Sequence, residues 1–266
     1  MKKIILSGLL AAACAASFAL SGKDVVQKYF DTNPAPSFSK TLFICDSFKG
    51  GKLDDSVTVE QCGRHRNGLT ETVFEIVKNP SLKGTRFLQS QKKGDDARFI
   101  YAPALRTVRR IPVQDKSKQF VGSEYTYNDT SLRDIDEDDH ELIDEKALVR
   151  IDSTSYTCWA VKSTPHSKRE VEYDYRIAYY DQNTVMPVKT EYFDRTGKLV
   201  KTMEIKKLVS IKGKMGKSHW CRQVCEIVNK RTGRSSVITV KSQILDDSAL
   251  VKDGYFNQNW LSTGKL

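Results

Sequence analysis

The sequence has none of the short signatures that mark common catalytic centres: no GxSxG elbow, no HExxH, no glycine-rich phosphate loop and no CxxC. Their absence removes the motif-bearing hydrolases, zinc peptidases and nucleotide enzymes from consideration. Histidine is scarce, and His65, His140, His166 and His219 each sit beside charged or polar residues without forming a spaced pair. A carboxylate dyad leaves no sequence trace, but nothing here argues for an enzyme, a cofactor or a metal. The chain also lacks internal repeats, low-complexity tracts and any Pro/Gly-rich linker that would divide it. One domain spanning residues 20–266 is the simplest organisation, and β sandwiches and barrels often run to this length as a single unit.

No apolar stretch is long enough to span a bilayer as a helix. The nearest, Ile4 to Ala13, follows Lys2 and Lys3 and precedes Ser17-Phe18-Ala19, which is the order of an export signal with cleavage after Ala19. The rival use of this region is lipid anchoring at Cys14, behind Leu10-Ala11-Ala12-Ala13. Removing residues 1–19 leaves 41 basic against 33 acidic residues, a net charge of +8. A basic exported protein meets anionic lipid head groups or acidic polymers more readily than nucleic acid; simple solubility is the alternative.

Five cysteines remain after cleavage, Cys45, Cys62, Cys158, Cys221 and Cys225. Export predicts disulfides, with Cys45 and Cys62 the first candidate pair because they flank a turn at Gly50-Gly51-Lys52. Cys221 and Cys225, four apart on a strand, share a face but stand about 13 Å apart, so either would have to reach Cys158 instead.

Helical spacing is confined to the start. Ser21 is placed to cap a short helix whose Val25, Val26, Tyr29 and Phe30 share a face, and Asn33-Pro34 and Pro36 end it. From Lys40 onward the period is two. Strands are expected at Thr41 to Ser47, Ser56 to Arg64, Thr70 to Lys78, Thr85 to Lys92, Arg98 to Tyr101, Leu105 to Ile111, Leu148 to Val161, Val171 to Tyr179, Met186 to Phe193, Lys198 to Leu208, Trp220 to Val228 and Ser236 to Ile244. In Val171 to Tyr179 the odd positions form an apolar, aromatic face and the even ones a wet face. The turn Asp194-Arg195-Thr196-Gly197 makes a hairpin of its flanks. Many antiparallel strands on short turns describe a mainly β, strongly curved sheet or barrel. The acidic run Asp134 to Glu145 matches a calcium loop at positions 1, 3, 5 and 12, but has Asp139 where glycine is required, and reads as an exposed loop.

Arg98 to Asp129 combines four arginines and five aromatics, breaks at Pro103 and turns at Gly122-Ser123. Basic residues among aromatics would suit an oligonucleotide-binding barrel, but export argues against nucleic acid. Alternation from Leu105 to Ile111 puts Arg109 on the face of Leu105 and Ile111, with Arg106 and Arg110 opposite. An arginine so placed binds a ligand, holds a lid by donating to backbone oxygens, or snorkels at the sheet edge.

Tyr101-Ala102-Pro103-Ala104-Leu105-Arg106, Arg109-Arg110-Ile111 and Phe120-Val121-Gly122-Ser123-Glu124-Tyr125-Thr126-Tyr127-Asn128-Asp129, preceded by Lys83-Gly84-Thr85 and followed by Pro187-Val188-Lys189, Tyr192-Phe193-Asp194 and Gly197-Lys198, resemble the signature of the LolA-like outer membrane lipoprotein-sorting proteins. The resemblance departs from that signature at Ala102, usually Leu, and at Val121, often Met. It implies a LolA/LolB-like fold: an incomplete antiparallel β barrel, a single domain with a few covering helices over an apolar cavity. It also implies non-catalytic periplasmic carriage of lipid or lipoprotein acyl chains from an inner-membrane donor to an outer-membrane acceptor. Leu105, Arg109, Ile111, Phe120, Tyr125, Tyr127 and Trp159 are then expected near the cavity, with Val25, Val26, Tyr29 and Phe30 on the lid. An envelope-anchored interaction module on the same fold, its cavity filled by its own side chains, is the alternative.

Overall fold

The structure, a computed structural model, describes residues 19–131, 133–168 and 171–266. Cys14 and nearly all of the expected export signal lie outside the described residues.

Helix α1 (Gly22–Thr32) forms where the caps predict it. The Ser21 hydroxyl accepts from the Asp24 N–H at 3.1 Å and the Asp24 carboxylate accepts from the Ser21 N–H at 2.9 Å, so two of the otherwise unpaired donors of the first turn are satisfied. Thirteen strands follow: β1 (Phe38–Lys49), β2 (Lys52–Arg66), β3 (Leu69–Lys78), β4 (Arg86–Lys92), β5 (Asp95–Ala102), β6 (Thr107–Arg110), β7 (Asp138–Ile151), β8 (Thr154–Pro165), β9 (Tyr175–Asp181), β10 (Pro187–Phe193), β11 (Leu199–Lys212), β12 (Ser218–Asn229) and β13 (Ser235–Leu245). A short helix α2 (Gln258–Thr263) ends the chain.

All thirteen strands belong to one antiparallel sheet in the order β6-β5-β4-β3-β2-β1-β13-β12-β11-β10-β9-β8-β7. Each strand pairs with its neighbour in sequence, except that β1 meets β13 and β6 does not meet β7. The sheet is therefore a cup and not a closed barrel, and of the chain between its two free edges the described residues 111–131 and 133–137 cross the open side. On the concave face Phe43, Phe74, Phe87, Met203, Ile205 and Ile227 meet the crossing segment, while α1 lays Val25, Val26 and Tyr29 against Val161, Ala178 and Tyr180. The opposite face has its own apolar layers, one under Trp260 and Leu261 of α2 and one on β7 and β8.

Three expectations about strands change. The acidic run is no exposed loop: a short helical turn at Ile135–Glu137 leads straight into β7, and Asp138 is buried. Arg133 and Arg176 each reach its carboxylate at 2.9 Å, which offsets the cost of burying the charge. The stretch from Leu148 to Val161 is the hairpin of β7 and β8, turned at Asp152, whose φ is 51°. Lastly, the ladder of β9 begins only at Tyr175, and Ala178 and Tyr180 face α1 while Ile177 and Tyr179 pack on the other side. From Arg176 onward the face read as wet is thus the covered one, with Arg176 neutralised from within by Asp138, whereas Val171 and Tyr173 join the concave core as expected.

Candidate functional site

A cavity of about 420 Å³ lies between the concave face, the C-terminal end of α1 and the crossing segment. Its walls come from β1, β2 and β3 on one side and β11, β12 and β13 on the other, with Phe43, Phe74, Met186, Met203, Ile238 and Val240 among its apolar lining. A volume of that size falls in the range of small-ligand sites. A second void of about 100 Å³ adjoins it beneath Val26 and Phe30, and Tyr29, Asp129, Met203 and Arg222 line both.

The crossing segment is built to sit in the cup. It turns back on itself at Val121 (φ 47°) and Gly122 (φ 75°), closed by the Phe120 N–H donating to the Tyr125 carbonyl at 2.7 Å and by the Gln119–Thr126 bridge. A β-branched residue with positive φ is costly, so packing must hold this turn in place. Phe120 is wedged among Phe74, Phe87 and Tyr127, with ring centroids 5.0–5.8 Å apart. The Tyr125 hydroxyl donates to the Cys225 carbonyl at 2.7 Å and the Ser236 hydroxyl accepts from the Glu124 N–H at 2.9 Å, which ties the turn to β12 and β13. Burial holds the Tyr125 phenol well above its ordinary pKa, so it remains a donor.

The base of the segment is fastened by charge. Arg98, buried on β5, donates to the Tyr127 carbonyl and to Ser131 Oγ, and pairs with Asp96, which Lys116 also meets at 2.9 Å. Burial pulls the Asp96 carboxyl upward, but Arg98 and Lys116 outweigh it and hold its pKa below the ordinary value. Farther along, Asp129 and Glu172 accept from Lys201 on β11, with Asp129 Oδ2 at 2.9 Å. Burial opposes the Lys201 charge, yet the two carboxylates win and raise its pKa. Asp129 therefore reaches the cavity already neutralised.

The residues expected at the site separate into groups. Phe120 and Tyr125 line the cavity, and Ile111 and Tyr127 lie around a small void beside Phe120. Leu105 is 61% exposed, in the turn before β6, and is not at the cavity. Arg109 keeps its inward phase, opposite Ile100, but β6 is an edge strand and the side chain is exposed. The donation to a backbone oxygen considered for Arg109 is made by Arg98, to the Tyr127 carbonyl. Trp159 lies outside the cavity, packed against the α1 cluster with the Lys28 ammonium 4.6 Å from its ring centroid. On α1, Tyr29 lines the main cavity, Val26 and Phe30 the smaller void, and Val25 is wholly buried.

Every described cysteine is buried and free, contrary to the disulfides expected from export. Cys45 pairs with Val57 and Cys62 with Lys40 across β1 and β2, which sends the two side chains to opposite faces; Cys45 joins the concave core and Cys62 the layer under α2. Cys45 and Cys225 both stand opposite Ile238, on either side of β13, two strand spacings or about 10 Å apart and beyond bonding distance. Cys158 belongs to the layer on β7 and β8, remote from both.

Arg222 carries a feature that two-residue periodicity conceals. The register of β11 with β12 shifts twice, skipping Lys206 and Gln223; the shifts cancel, leaving Leu208 opposite Arg222 but turning the pair to the face of Ile205 and Cys225. Leu208 packs on the concave clusters, and residues directly opposite share a face. Arg222 thus points into the cavity, where a regular strand would show it to the other side.

Comparison with solved structures agrees with the cup. A domain from Vibrio parahaemolyticus assigned by name to outer membrane lipoprotein sorting superposes with a TM-score of 0.79 at 20% identity, covering 91% of this chain and 98% of its own. A DUF1329 family protein from Desulfovibrio piger gives 0.78 at 21% identity, covering 90% and 97%. A LolA superfamily protein from Nitrosomonas europaea gives 0.66 at 16%, covering 91% and 100%. No curated protein matches. The fold is therefore LolA-like, and a family model described as an uncharacterized protein matches residues 68–263. This chain belongs to that family of uncharacterized proteins, built on the fold of the LolA superfamily.

Proposed function

We propose that the protein is a non-catalytic carrier that shelters an acyl chain of a lipid or lipoprotein in its concave cavity and moves it through the periplasm, from an inner-membrane donor toward an outer-membrane acceptor. The observation that carries this reading is the cavity itself: about 420 Å³ of mostly apolar space on the concave face, beneath a helix and a stapled crossing segment. Each buried CH₂ contributes about 0.8 kcal/mol, so ten enclosed carbons gain on the order of 8 kcal/mol before ordering costs. That is enough to hold a chain out of water and small enough to release it to a receiver. The fold shared with a domain named for lipoprotein sorting supports the reading, as does the sequence order of an export signal before Leu20. Helix α1 is the lid element, since Tyr29 covers the cavity and Val26 and Phe30 the void beside it.

The test is titration of delipidated protein with a fluorescent fatty acid. Saturable binding near one equivalent, displaced by unlabelled oleate, supports a carrier. No binding after stringent delipidation supports the interaction module, whose cavity serves only as packing space.

A further inference from the structure

The cavity holds a positive charge without a counter-charge. Among the described residues the Arg222 guanidinium has no hydrogen bond and no carboxylate within ion-pair distance, and it lines both the main cavity and the adjoining void. Other inward-facing basic groups are matched: Lys201 by Asp129 and Glu172, Arg176 by Asp138. Of the acids lining these two spaces, Asp129 is already committed to Lys201 and to the Thr126 N–H, and Asp134 lines only the smaller void and makes no ion pair with Arg222. Around the guanidinium stand phenols, those of Tyr29, Tyr125 and Tyr192. A second polar group is also unsatisfied here: the buried Thr41 hydroxyl, on β1, lines the same cavity without a hydrogen-bond partner.

A guanidinium left unpaired within a protein is costly, and such groups persist where a ligand completes them. Its planar fork matches the two oxygens of a carboxylate or phosphate. An acyl group held through an ester or amide offers only a neutral carbonyl and would leave the charge uncompensated. We propose that Arg222 binds the anionic group of the cargo, so that the amphiphile taken up is an acyl chain ending in a free carboxylate or a phosphate. The double register shift is the device that creates this site, because it alone turns Arg222 toward the cavity.

This inference rests on the carrier reading and is tested with it. Delipidated wild-type protein is titrated with cis-parinaric acid and with its methyl ester, and then competed with oleate and with lysophosphatidic acid. The acid is expected to bind about ten- to a hundredfold more tightly than the ester, the range of one charge-assisted hydrogen-bonded pair. Arg222→Met should abolish that preference by weakening the acid, and Arg222→Lys should restore part of it. Whichever competitor displaces the probe at lower concentration identifies a fatty acid or a phosphate-bearing lipid as the source of the anion. Equal affinity of the wild type for acid and ester overturns the anion site and leaves the carrier standing. Binding of neither probe overturns both. The wild-type comparison needs no variant to fold.

Discussion

Leu208 stands directly opposite Arg222, and the one residue skipped on each strand, Lys206 and Gln223, turns this pair to the face of Ile205 and Cys225. The pair decides what the cavity contains. If Arg222 is an uncompensated charge in the empty protein, its replacement by a neutral side chain of similar length should stabilise that state. Arg222→Met is expected to raise the melting temperature of delipidated protein by several degrees, at about 2–4 °C for each kcal/mol in a chain of this size. Saturating oleate should reverse the order, stabilising wild type and not the variant. Calorimetry with and without oleate checks both.

Phe120 anchors the crossing segment through three aromatic neighbours and is 3% exposed. Phe120→Ala should cost about 3–5 kcal/mol and enlarge the cavity, whereas Tyr125→Phe, which loses one hydrogen bond to Cys225, should cost about 1 kcal/mol. Chemical denaturation of the two variants gives the comparison.

The ion cluster at the base of that segment gives a pH dependence. Arg98 and Lys116 hold the folded Asp96 below its ordinary pKa, so its contribution to stability is complete above about pH 4 and is lost as the pH falls through the folded value. Asp96→Asn should therefore lower stability at neutral pH and flatten the acid limb of the profile. Arg98→Met leaves the Tyr127 carbonyl without its donor and Asp96 with Lys116 alone, and should cost about 1–3 kcal/mol at neutral pH. Thermal melts from pH 2 to 8 distinguish these outcomes.

The thiols offer a separate check on the sheet. Burial pushes Cys45 and Cys158 up to about 12 and Cys221 to about 11, which leaves them protonated and inert at neutral pH. Protein beginning at Leu20 should show almost no reaction with Ellman's reagent when native and five thiols when unfolded. Treatment with dithiothreitol should leave the melting temperature unchanged.

Much of the architecture was legible from alternation. The cap at Ser21, the inward face of α1, most strands and the hairpin at Asp194 to Gly197 all follow from local pattern, whereas the expectation of Phe120 and Tyr125 near a cavity rests on the family resemblance. What was not legible depends on long-range pairing. Strand β7 carries acids that read as loop because Arg133 and Arg176 come from elsewhere to neutralise Asp138. Cys45 and Cys62 flank a turn, yet their register sends them to opposite faces. Cys221 and Cys225 share a face only in an unbroken strand, and the bulge that defeats that reading is also what turns Arg222 inward. Arg109 was phased correctly; its exposure follows from β6 being an edge, a property of the whole sheet. No local signal distinguished Arg98, which fastens the segment, from its neighbours.

The most direct measurement is photolabelling with a diazirine-bearing fatty acid followed by peptide mapping. A carrier takes the label at Met186, Met203, Tyr29 and the β12 and β13 residues that line the cavity, and excess oleate suppresses it. Label confined to exposed positions such as Leu148 and Met215, 85% and 70% exposed, and indifferent to oleate, would contradict carriage in the cup.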